Sequence, residues 1–286
     1  MSAVKNNSKL YIKILFIFIA VLLVIITVVL FVLPEIYDQQ CRTRFNTELD
    51  SQIDSSVLMA NICVVRYEET TNGNTTNFSY SLGASGVIYE KKQNTYYALT
   101  AYHVVSDPKE NTKFLIQPYG TLPYSQSNEN GRHLSLEEYY GQFPFAKVEY
   151  FDESCDLAVI SFRISEELGA LDIAEYNAEK NTEIVVISNP EGKKFVRTYG
   201  TVTSDSPIMF SGNNGQSANL AVQHDAYVAP GSSGSAVLCF DNGKAEIVGI
   251  NIGGGTNFMG KFQYGVMIPC YQIKVFLGNM ILEKGQ

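Results

Sequence analysis

The chain has 286 residues, 45% of them hydrophobic, and a formal net charge of −8 with a pI near 5.0. That length allows one large domain or two small ones with a sizeable core. The acidic balance and the lack of a basic stripe argue against a nucleic-acid partner, since such binding leans on clustered lysine and arginine.

In chain order, the first feature is the uncharged run "ILFIFIAVLLVIITVVLFVL" at 14–33. At about 1.5 Å per residue it reaches about 30 Å, the depth of one hydrocarbon core. A cleaved signal peptide usually has an apolar region of only about 7–15 residues and small residues at the cut, so a retained anchor fits better. Lys5, Lys9 and Lys13 precede the run and Arg42 and Arg44 follow it. That small bias puts the N-terminus inside and the rest of the chain on the extracytoplasmic face of a cell membrane, in single-pass topology. The reading is therefore 1–13 as a cytoplasmic N-terminus, 14–33 as a signal-anchor helix in contact with lipid, and 34–54 as a short helical stalk.

Beyond residue 55, short apolar runs alternate with turn residues. "SSVLMANICVVRY" reads as a strand, and "TTNGNTTN", with its Asn74 and Asn77 sequons, as a polar loop. "SGVIYE" and "TYYALTAY" read as a hairpin; "FAKVEYFD", "DLAVISF", "EIVVISNP" and "RTYGTVTS" follow as further strands. "SAVLCF" and "AEIVGINI" flank Asp241-Asn242-Gly243, the signal of a type I′ turn. Many short strands at this spacing indicate a β-sandwich or a pair of barrels. Residues 118–145, rich in Pro, Ser, Asn and Gly, read as a long surface loop. The tail "CYQIKVFLGNMIL" has helical spacing. The cysteines, Cys41, Cys63, Cys155, Cys239 and Cys270, are widely spaced and odd in number, which gives neither a metal-ligand pattern nor a dense disulfide framework. Buried small hydrophobes are their default role, with one disulfide open in an oxidising space. No metal or cofactor is expected.

The stretch "APGSSGSAVL" at 229–238 resembles both a flexible linker and the tight turn that holds a catalytic serine. A serine hydroxyl needs a base within reach, usually a histidine held by a carboxylate. Of three histidines, His133 lies in the polar loop, and His224 ends a strand as an ordinary surface imidazole. His103 follows "YYALTAY" at a strand end, where clefts form. Asp156 opens the apolar "DLAVISF", where an acid needs a partner because an isolated buried charge is costly.

These blocks together resemble the trypsin-like serine proteases, most closely the HtrA/Deg branch. "SGVIYEKKQNTYYALTAYHVV" is similar to the family's histidine segment, "CDLAVISF" to its aspartate segment, and "HDAYVAPGSSGSAVL" to its serine segment. The order His, Asp, Ser is the family's, and the likeness covers about 55–280. It implies an all-β fold of two six-stranded Greek-key barrels with a C-terminal helix. The first barrel (55–168) would carry His103 and Asp156, the second (169–286) Ser233 and the closing helix.

The resemblance also implies roles. Ser233 falls on the nucleophile, His103 on the general base and Asp156 on its orienting acid. The backbone N–H groups of Gly231 and Ser233 fall on the oxyanion hole. Tyr227, Val228 and Ala229 would line one side of the S1 pocket, with Tyr227 at its base, and Asn251, Ile252 and Gly253 would edge the substrate cleft. With no acid at position 227, a small or medium apolar P1 residue is expected rather than Arg or Lys. Asp225 matches an aspartate with a structural role. Ser235 departs from the family's second glycine and Ala236 from its proline; the chain ends where HtrA proteins often continue into a PDZ domain. Partners would be protein or peptide substrates, and a homo-oligomer is open because the family often forms trimers. The alternative to a membrane-anchored endopeptidase is an inactive protease-fold protein used for binding.

Overall fold

The computed structural model describes residues 2–72, 75–109, 111–129, 131–204, 206–211 and 219–284. The chain divides into two units, Met1–Ser51 and Gln52–Gln286. The first is helical: α1 (Ser2–Thr27), a π-helical stretch over Val28–Val32, and α2 (Leu33–Asp50). Pro34 has no N–H to offer the Leu30 carbonyl, and the ladder just before it widens, with the Leu33 N–H donating to the Val28 carbonyl. The Leu15–Val32 window has a mean hydropathy of 3.5 and no buried residues. By length and composition this helix can cross a bilayer, and an N-terminal signal sequence shares that composition. The residues expected as a stalk continue the helix to Asp50.

The second unit opens with α3 (Ser55–Met59), where the sequence reads as strand. Asp54 is the reason: its carboxylate accepts from the Val57 N–H at 3.0 Å and the Ser56 hydroxyl at 2.6 Å, capping a helical turn before the β-branched run begins. There follow β1 (Asn61–Asn72), β2 (Thr75–Tyr80), β3 (Ala84–Lys92), β4 (Thr95–Ala101), the short helix α4 (Tyr102–Val105) and β5 (Thr112–Pro118). After an insertion come β8 (Phe145–Asp152) and β9 (Leu157–Phe162). The antiparallel order β1-β3-β4-β9-β8-β5 closes on itself because β5 pairs back with β1, giving a six-stranded ring, with β2 folded against the outer half of β1. Ile62, Ile88, Ala98, Ile116 and Ile160 fill it. The stretch read as the loop "TTNGNTTN" is the end of this β1–β2 hairpin; Asn74 lies outside the described residues.

The second ring is built from β10 (Glu183–Ser188), β11 (Val196–Thr201), β13 (Asn219–His224), β14 (Ala236–Asp241), β15 (Lys244–Thr256) and β16 (Phe262–Pro269). The order β11-β10-β14-β15-β16-β13 is closed by a bridge between Val202 and His224, and β12 (Ile208–Phe210) pairs with β13 at the edge. Asn242 (φ 49°) and Gly243 (φ 78°) make the expected hairpin turn between β14 and β15. The tail forms the helix α6 (Cys270–Lys284), which buries Cys270, Ile273 and Phe276. All five cysteines are free.

The 118–145 insertion is not the structureless loop its composition suggests. It holds a two-residue hairpin, β6 (Asn128–Glu129) with β7 (Arg132–His133), and the helix α5 (Leu136–Tyr140). Ser135 and Glu138 form a reciprocal capping box that makes so short a helix viable. Its aromatic rings hold it down: Tyr139 is buried, and Tyr140 stacks on Tyr80 with centroids 4.0 Å apart. The outer face of the first ring explains why. Cys63, Val65 and Leu115 are buried there as well, under Tyr140, Phe143 and Phe195, so β1 is apolar on both sides.

Candidate active site

β4 ends at Ala101 and the chain turns at once into α4, which sets His103 at the rim of the first ring. Its Nδ1 lies 2.7 Å from Asp156 Oδ2, and its own N–H donates to Asp156 Oδ1 at 2.9 Å. The Tyr102 N–H donates to the Asp156 carbonyl at 3.0 Å, so three contacts fix the acid. Asp156 follows a 3-10 turn in the left-handed conformation (φ 52°), which aspartate tolerates better than most side chains. Its side chain is 4% exposed. A carboxylate this buried is viable because each oxygen meets a donor.

The second ring supplies the 229–235 loop. Ser232 is 1% exposed, with its hydroxyl 3.0 Å from the Ser188 hydroxyl and accepting from the Ala229 N–H. Its oxygen is thus committed to holding the loop. Ser233 instead lines an open cavity. Gly231 (φ 101°) and Gly234 (φ 84°) flank the two serines. A Cβ on Gly231 would fall on the Asn189 carbonyl, and one on Gly234 on the Ser85 carbonyl and Thr100 hydroxyl, so only glycine fits either place. The Gly234 contact seats the loop against the end of β4, two residues before α4 presents His103. Among the described residues no hydrogen bond joins Ser233 to His103.

The Gly231 N–H has a set direction. The Pro230 carbonyl accepts from the Glu191 N–H at 2.7 Å, and among the described residues no peptide is cis. In a trans peptide the N–H opposes the carbonyl, so Gly231 points its amide away from Glu191. Neither the Gly231 nor the Ser233 N–H has a protein acceptor among the described residues, which leaves both available to an anion. Ser85 brackets the loop: its hydroxyl donates to the Gly231 carbonyl at 2.8 Å and its N–H to the Ser233 carbonyl at 2.9 Å.

The cavity beside Ser233 has a volume of about 370 Å³, and Tyr227, Val228, Ala229, Asn251 and Gly253 line it with Phe262. Ile252 lies outside the lining, its side chain buried. Tyr227, expected at the base, is 44% exposed, and its ring stands edge-on to Phe262 with centroids 5.3 Å apart. The structure places it at the wall and mouth.

His224 corrects the expectation of a surface imidazole: it is 0% exposed. Gly265 on the facing strand β16 makes this possible, because a Cβ there would overlap the ring. His224 Nε2 lies 3.3 Å from Asn251 Oδ1, and Asn251 Nδ2 donates to the Ser232 carbonyl at 3.1 Å. The imidazole therefore braces the serine loop through Asn251. Burial holds it neutral and pushes its pKa down to about 4. An unfolded histidine titrates near 6.5, so between about pH 6.5 and 4 the unfolded chain binds a proton that the folded chain refuses. Stability should fall as pH falls through that window, by about 2–3 kcal/mol between pH 7 and 4.5. Urea unfolding of wild type and His224→Gln at the two pH values checks this: the variant should lose that much less, and equal losses would contradict a buried neutral ring.

A family model described as a trypsin-like peptidase domain matches residues 84–250, more than half the chain. The chain belongs to the trypsin-like peptidase family. Within that family it is similar to a "Probable serine protease do-like" of Buchnera aphidicola subsp. Acyrthosiphon pisum (strain APS), 29% identical over 154 residues, which are 54% of this chain and 31% of the relative. The chain thus spans under a third of the length of that curated relative. Among solved structures it is similar to a serine-to-alanine form of the HtrA-type protease AlgW with a decapeptide (TM-score 0.54, 19% identity, 80% of this chain and 65% of that one). It is also similar to an inactive serine-to-alanine mutant of Rv3671c from M. tuberculosis H37Rv (TM-score 0.51, 15% identity, 79% and 87%). As in the expected trypsin-like fold, each half of the peptidase is a strand ring.

Sequence reasoning missed three supports of this candidate site: Ser85, Asn189 and His224. Ser85 carries a signal only within the family's Ser-Gly-Val strand. Asn189 donates its N–H and its Nδ2 to the Ser85 hydroxyl oxygen at 3.0 and 3.1 Å. Asp225, expected to be structural, accepts from the Thr201 N–H at 2.6 Å.

Proposed function

We propose that the chain is a serine endopeptidase that cleaves protein or peptide substrates through an acyl-enzyme. Ser233 attacks the scissile carbonyl. His103 takes the serine proton and returns it to the leaving amine, while Asp156 holds the imidazole with its Nδ1 protonated. The N–H groups of Gly231 and Ser233 receive the developing oxyanion, a donor pair of which each member is typically worth about 2.7–4 kcal/mol of transition-state stabilisation. The observation that carries this reading is the 2.7 Å His103–Asp156 contact at the rim against which the glycine-flanked serine loop is seated. The cavity walled by Val228, Ala229 and Gly253 takes the P1 side chain, an apolar one, because no charged group but the solvent-facing Glu191 borders it. The apolar helix over 14–33 anchors the enzyme in a cell membrane, with the catalytic unit on the extracytoplasmic side. A fluorophosphonate probe on the full chain tests the chemistry. Wild type should label at a single serine, and a folded wild type that stays unlabelled and cleaves no peptide would leave only the binding-protein reading.

A further inference from the structure

The turn 189–195, between β10 and β11, belongs to the second ring but is tied to the first. Lys194 reaches across and its Nζ donates to Gln117 Oε1 at 2.7 Å and to the buried Cys63 sulfur at 2.8 Å. Burial keeps that thiol protonated against the pull of the ammonium. Next to it the Phe195 ring packs on Tyr119 with centroids 5.1 Å apart, and the Phe195 N–H donates to Asn189 Oδ1 at 3.1 Å. The same turn carries Glu191, whose N–H holds the Pro230 carbonyl and so sets the direction of the Gly231 amide. On the other side, Gln117 donates to the Tyr139 hydroxyl at 3.1 Å, and that hydroxyl donates to the Leu122 carbonyl at 2.6 Å. The capped insertion 118–145 and the oxyanion amide thus meet at two side chains, Gln117 and Lys194.

We infer that Lys194 is a positioning residue for the oxyanion hole, and that the 118–145 insertion acts on catalysis through it. The inference rests on the proposed endopeptidase reading. An ammonium seated on Gln117 and Cys63 fixes the height of the 189–195 turn over the first ring. With it released, the turn no longer keeps the Glu191 N–H at the Pro230 carbonyl, and the Pro230–Gly231 peptide is free to rotate its donor out of the hole. Lys194 does not line the cavity walled by Val228 and Gly253, and of its turn only the solvent-facing Glu191 borders it, so the loss falls chiefly on the chemical step.

The test is Lys194→Met in the full chain, with peptide hydrolysis measured per serine titrated by an active-site burst. The expected result is a kcat about 10²-fold lower, the size of losing one oxyanion donor, with KM within about threefold of wild type. Gln117→Leu, which removes the acceptor from the first ring, should give the same split and stands in if Lys194→Met does not fold. A merely structural tie would lower the titratable fraction and leave kcat per site unchanged. A kcat per site within threefold of wild type in either folded variant overturns the inference while leaving the endopeptidase reading intact. A wild type with neither burst nor turnover takes down both.

Discussion

Ser233→Ala should lower kcat by about 10⁶ and abolish fluorophosphonate labelling, whereas Ser232→Ala should keep the label. The two adjacent hydroxyls differ in what they already do. Ser232 is buried between the Ser188 hydroxyl and the Ala229 N–H, so its oxygen has no lone pair directed at a substrate and no base near it. Removing it costs the loop two hydrogen bonds, about 1–3 kcal/mol of stability, and shows as a lower unfolding midpoint. Ser233 faces the cavity with its hydroxyl uncommitted among the described residues, beside two free amides. Mass spectrometry of the labelled peptide decides: a label surviving in Ser233→Ala, or lost in Ser232→Ala, would move the nucleophile by one residue and dismantle the proposed geometry.

The second large effect is expected from Asp156→Asn, a fall in kcat of about 10⁴ with the fold retained. Both carboxylate oxygens act as acceptors, one from the His103 N–H and one at His103 Nδ1. An asparagine keeps its oxygen on the backbone N–H and turns its NH₂ toward Nδ1. Nδ1 must then accept, the ring proton moves to Nε2, and the nitrogen that the proposed mechanism uses as base can no longer take a proton. Steady-state kinetics with circular dichroism as a fold control checks this. A variant within tenfold of wild type would mean that the His103–Asp156 contact serves packing alone.

Most of the strand order was legible because each strand carries its own local signal: alternation in "TYYALTA", a two-residue Asn-Gly turn, a run in "LAVISF" that is apolar but for Ser161 and covered on both faces. The misreadings have physical causes. Ser55–Met59 is apolar enough for a strand, and only the Asp54 cap, a side-chain to backbone contact, tips it into helix. The insertion looked like a loop because polar residues outnumber apolar ones, yet Tyr140 and Phe143 against the outer face of β1, with Tyr139 packed on both, hold it in place. His224 looked superficial because its burial depends on the missing side chain of Gly265, forty-one positions away and visible only once β13 and β16 are paired. The family's three segments pointed to His103, Asp156 and Ser233; Ser85 and Asn189 were not singled out, since their contacts cross the seam between rings.

That seam has a consequence for how such an enzyme comes into being. Asp156 and His103 arise from one half of the polypeptide, Ser233 and the 231–233 amides from the other, and Ser85 of the early half clasps Gly231 and Ser233 of the late half. During synthesis the leading half emerges with a base and no hydroxyl to serve. On the proposed mechanism, hydrolytic power arrives only when the trailing half has folded and docked, through contacts of high sequence separation that form slowly. On that reading, neighbouring nascent chains are spared until the two rings have docked.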